Sequence, residues 1–95
     1  MEFSEEIKDL YFKLQRKNSG EPREYTMTEI GKISRKALKI IEKNNPDHGA
    51  IPAFNGVLAR VEYFNGYGAS SEFIENIEEI KELAMQAFQE FFDKE

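Results

Sequence analysis

Residues 51–68, IPAFNGVLARVEYFNGYG, constrain the fold of this 95-residue chain more than any other stretch. Read as strand, Val57, Ala59, Val61 and Tyr63 alternate, and Asn65-Gly66 is a hairpin turn signal. Read as helix, Phe54, Val57, Leu58, Val61 and Phe64 share one face. A hairpin needs a second strand, yet the YGASSEF that follows has little apolar alternation. A lone two-stranded ribbon is marginal in water. Gly56 weakens either element. The helix is therefore the stronger reading, over about 51–64. Pro52 fits its first turn, where a missing N–H is harmless. Asn65-Gly66 would stop it with a left-handed residue at the C-cap.

The rest of the chain carries the same apolar period. Over about 4–17, Ser4 can cap a helix whose first turns hold Glu5, Glu6 and Asp9. Its stripe is Phe3, Ile7, Leu10, Tyr11 and Leu14, and Gly20 and Pro22 end it. Over 26–44, Thr26 and Glu29 form a capping box and Tyr25 can staple onto Ile30. Ile30, Ile33, Ala37, Ile40 and Ile41 follow on one face, and Pro46 lies just beyond. Gly31 lies inside this helix at a cost of about 1 kcal/mol relative to Ala. Over 71–92, Ser70 or Ser71 caps a helix with Glu72 and Glu75 in its first turn. Its stripe is Phe73, Ile77, Ile80, Ala84, Ala87, Phe88 and Phe91. Four amphipathic segments joined by short links make one all-α domain over 1–95, an antiparallel up-down-up-down four-helix bundle.

Composition narrows the chemistry. There is no Cys, one His and no Trp, while eight Phe and four Tyr supply aromatic bulk. Disulfides and thiolate ligands are excluded, and a cytoplasmic home fits, with contact at the membrane periphery allowed. The acidic N-terminal segment is unlike a signal peptide. No calcium-loop pattern, phosphate loop or nucleophile elbow occurs, so no metal, cofactor or enzymatic turnover is expected. His48, in NPDHG, reads as a solvated loop residue rather than a general base. GYGAS reads as a flexible connector rather than an anion cradle.

The net charge of −5 is unevenly distributed. Residues 1–46 hold ten Lys/Arg and eight Asp/Glu, whereas 47–95 hold three and ten. Lys32, Arg35, Lys36, Lys39 and Lys43 fall in one sector of the second helix. Glu72, Glu75, Glu79 and Glu82 form an acidic sector of the fourth. Solvation explains both faces at the simplest level. As a function, the basic face suits an anionic partner: inner-leaflet phospholipid headgroups, an acidic protein face, or a second copy. Nucleic acid is not expected, because the chain is acidic and the basic face lacks interleaved aromatics. A monomer or weak dimer is expected. Phe64 reads as core, and Tyr67 as packed beneath the loop. The alternative is that Tyr63 and Tyr67 are half-exposed interface anchors.

In this arrangement the chain resembles the immunity proteins for class IIa (pediocin-like, enterocin A-type) bacteriocins. The resemblance lies in IKDLY of the first helix, ALKIIEKNN closing the second, PAFNGVLARVEYF in the third and SEFIENIEEIKEL in the fourth. It implies a non-enzymatic cytosolic four-helix bundle that protects a bacterium from its own pore-forming peptide. The implied partner is the bacteriocin peptide together with the mannose-phosphotransferase membrane receptor. Recognition is implied near the third-to-fourth helix connection and the end of the fourth helix. That makes Tyr67, Phe88, Phe91 and Phe92 candidates here. The chain departs from the family in its acidic balance and in a periodicity that persists almost to Glu95. The other reading is a small phage-type inhibitor or sponge that sequesters a host macromolecule or nucleotide.

Overall fold

The computed structural model describes residues 3–18, 27–67 and 73–94. These hold four helices: α1 (Phe3–Asn18), α2 (Met27–Asn44), α3 (Ile51–Asn65) and α4 (Ile74–Asp93). They form an all-α antiparallel up-down-up-down bundle in which each helix packs on the next in sequence. α4 also meets α1 to close the ring, and α2 and α4 touch across it along one diagonal. Within the stretch 51–68 the chain is helical from Ile51 to Asn65, with Pro52 in the first turn. The Thr26 capping box, the Tyr25 staple, Gly20, Pro22, Ser70, Ser71 and Glu72 lie outside the described residues.

Apolar spacing builds the core. Ile7 and Leu14 of α1, Met27, Ile30 and Ile41 of α2, Phe54 and Val57 of α3, and Ile80, Phe88 and Phe91 of α4 are all fully buried. Each occupies the stripe that the 3.6-residue period assigns to it. The Phe54 and Phe88 rings meet edge to face with centroids 5.0 Å apart. Tyr11 lies 5.6 Å from Phe88, and Phe3 lies 5.9 Å from Phe91. Such offset pairs contribute about 0.5–1.5 kcal/mol beyond area burial.

Gly31 has a packing reason that its sequence position did not reveal. A Cβ there would stand 3.2 Å from Val61 Cγ1, so the missing side chain lets α2 and α3 approach closely. Gly56 differs: nothing lies within 4 Å of where its Cβ would be.

Three local expectations are corrected. Gly66 caps α3 with φ −75° and ψ −10°, in the right-handed region, so α3 ends without a left-handed residue. The Gly66 N–H instead donates to Glu62 O at 3.0 Å, keeping the helical pattern for one more residue. α4 begins at Ile74, with Phe73 in the extended N-cap position, several residues after the expected start. Phe73 therefore leaves the stripe to which its spacing assigned it and is exposed.

His48 is the third correction. It is only 6% exposed, not a solvated loop residue. Its ring stacks on Phe91 with centroids 4.8 Å apart, and its Nδ1 accepts the Ala50 N–H at 3.1 Å. The ring thus covers the end of the core and satisfies a backbone donor just ahead of α3, where no side-chain cap exists.

Candidate partner-binding surface

The bundle has two dissimilar ends. At the first, α1 begins, α4 ends and residues 45–50 join α2 to α3. His48, Phe91 and Phe3 seal it. At the second, α3 ends and α4 begins. Tyr63, Tyr67, Phe73 and Ile74 bracket that connection at 50%, 65%, 58% and 43% exposure. Phe12 of α1 is the other large apolar side chain exposed among the described residues.

Helical spacing organises this second end. Arg60, Tyr63 and Phe64 stand at i, i+3 and i+4, so their side chains share one face. The Arg60 guanidinium lies 5.1 Å from the Tyr63 ring centre and 5.0 Å from that of Phe64. Its Nε also donates to Glu79 Oε2 at 2.9 Å, joining α3 to α4. Tyr67 follows one turn later, 4.8 Å from Tyr63 between ring centroids. Phe64 turns inward and is buried, as its spacing required. Tyr67, expected to pack beneath the loop, is instead 65% exposed, the most exposed of the large apolar side chains among the described residues.

The other candidates separate. Phe88 and Phe91 are fully buried on the α4 stripe, so neither presents surface to a partner. Phe92 is half-buried at the edge of that stripe, its ring 5.4 Å from Tyr11. Lys32, Arg35, Lys36, Lys39 and Lys43 are all exposed on the outer face of α2. Glu75, Glu79 and Glu82 are exposed on α4. Arg60, Phe73 and Ile74 were not candidates from sequence. The available signal was Arg60 placed three and four residues ahead of two aromatics.

A groove of about 540 Å³ separates α1 from α4, lined by Tyr11, Glu78, Lys81, Glu82, Met85, Gln86 and Gln89. The Tyr11 hydroxyl accepts from Gln89 at 2.7 Å and from Gln15 at 3.2 Å. Partial burial pushes the Lys81 ammonium below its usual range, and the nearby Glu78 carboxylate opposes that shift. Among the described residues no three His, Cys, Asp or Glu side chains group as metal ligands. None of the described helices is long and apolar enough to cross a membrane.

No family model, curated protein or solved structure matches this chain.

Proposed function

We propose that the chain is a non-enzymatic immunity protein of the class IIa bacteriocin type. In this reading it binds, inside the cell, the complex of a pore-forming peptide with its membrane receptor, and acts by occupying a surface. One observation carries the reading: exposed Tyr63, Tyr67, Phe73 and Ile74 bracket the α3–α4 connection, where the family resemblance implies recognition. Exposed aromatic clusters beside an arginine are the residue types that concentrate binding energy at interfaces. A patch of large apolar side chains in an otherwise charged surface fits a protein partner. Phe88, Phe91 and Phe92 lie toward the opposite end of α4 and take no part in this patch.

The test is protection. The chain is expressed in a sensitive Gram-positive host, which is then challenged with a panel of pediocin-like peptides. The expected result is a large rise in inhibitory concentration for one or a few peptides. Replacing Tyr63 and Tyr67 together with Ser should remove that rise. No protection across the panel would overturn the reading, and stoichiometric capture of a host macromolecule would then favour an inhibitor.

A further inference from the structure

The outer face of α2 differs in chemistry from every other face. Its five cations are exposed, and none of them makes an ion pair among the described residues, whereas Arg60 and Lys94 do. At 100° per residue they span a sector of about 100°, with Lys32, Lys39 and Lys43 pointing directly outward. From Lys32 to Lys43 the row is about 16 Å long at 1.5 Å per residue. Among the described residues no large apolar side chain is exposed on this face. Carboxylates border it on both edges: Glu42, exposed on α2 itself, stands about 20° beyond Arg35, and on the α1 side Lys36 shares a cleft with Glu6, Asp9 and Lys13, and Lys32 another with Glu29 and Lys13.

The acidic surface lies on the far side. α2 and α4 are the diagonal pair that touch through the core, so their outer faces look in opposite directions. Distance then decides how a negative net charge acts. The molecule measures 38 × 26 × 18 Å, so even its shortest dimension exceeds the screening length of about 8 Å at physiological salt. An anionic surface laid against α2 therefore meets its cations with the α4 carboxylates largely screened.

We propose that the outer face of α2 docks on a bilayer bearing anionic phospholipid headgroups, in one orientation, with α4 turned away. This proposal does not depend on the immunity reading. A flat sheet of charge touches one face of a molecule only, which suits a polar protein. A strand of nucleic acid would find no aromatic on this face on which to stack. A second copy would have to offer an acidic face on which Glu79 is already held by Arg60. Without an apolar residue to insert, the attachment is purely electrostatic and reversible by salt.

Vesicle co-sedimentation of the full chain tests this. Binding is expected to mixed phosphatidylcholine–phosphatidylglycerol vesicles and not to phosphatidylcholine alone. Lys32→Glu with Lys39→Glu should weaken it by about tenfold or more while helical circular dichroism is unchanged. Glu75→Lys with Glu82→Lys, on the far face, should alter it by less than about twofold. Equal binding to neutral vesicles, or an α2 variant that binds as well as the parent, would overturn the proposal. A gain of about tenfold from the α4 variant would overturn the fixed orientation, since net charge alone would then govern. Tighter capture of duplex DNA than of the mixed vesicles would assign the face to nucleic acid. Salt-sensitive growth in mass without lipid would assign it to a second copy.

Discussion

The two ends of this bundle use aromatic residues for opposite purposes. At the His48 end, rings face inward: Phe91 is fully buried between Phe3 and His48, and Phe54 meets Phe88 edge to face. At the Tyr67 end, Tyr63, Tyr67 and Phe73 face water, and Arg60 lies over Tyr63 and the buried Phe64. Burial at the first end stabilises the fold, while exposure at the second contributes little to it. A surface that gives little to stability is free to be specified by a partner.

The largest expected effect breaks the sealed end. Phe91→Ala should cost about 3–5 kcal/mol, read from the midpoint of urea unfolding, because it opens a cavity between α1 and α4. A loss below about 1 kcal/mol would mean that this end is not the better packed of the two. Next is His48→Ala, which removes an aromatic stack and leaves the Ala50 N–H without its acceptor, at about 1–3 kcal/mol. His48→Asn keeps a polar acceptor and should recover part of that loss, which separates the hydrogen bond from the stack. Gly56→Ala, in the open middle of α3, should gain up to about 1 kcal/mol, because nothing obstructs the new methyl group. The smallest effect sharpens the contrast from the other side. Tyr63→Ser and Tyr67→Ser should each move stability by no more than about 0.5 kcal/mol, measured in the same unfolding experiment. A loss of 2 kcal/mol or more (roughly a core-sized effect) would place these rings in the fold rather than in recognition.

Much of this architecture was legible before any coordinates. The apolar period placed α1, α2 and α4, and the absence of a partner strand after Asn65-Gly66 chose helix over hairpin for α3. The same period also carried a warning about two candidates. Phe88 and Phe91 stand on the α4 stripe with Ile77, Ile80 and Ala84, and a stripe position in an antiparallel bundle is buried. Their role as partner contacts rested on a resemblance that competed with this pattern, and the burial follows the pattern. His48 left no comparable trace. A single residue in a six-residue connection has no periodicity, and its burial depends on where the end of α4 arrives in space. Phe73 failed for a local reason: its stripe position counts only if the helix has already begun, and α4 begins one residue later. Gly31 appeared only as a cost, because its benefit belongs to a neighbour thirty positions away.

That benefit has a mechanical meaning. Where the bare Gly31 backbone meets the Val61 side chain, two rods rest closely against each other, and such a contact acts as a fulcrum. Tyr63 and Tyr67 lie a short arm beyond it, while Phe54, on the long arm, is clamped by Phe88. A bulky side chain wedged at position 31 would therefore not move α3 evenly. The end held by Phe88 would resist, the load at the other end would fall on the Arg60–Glu79 pair and the buried Phe64, and the aromatic edge would be re-aimed by a substitution that touches none of its residues.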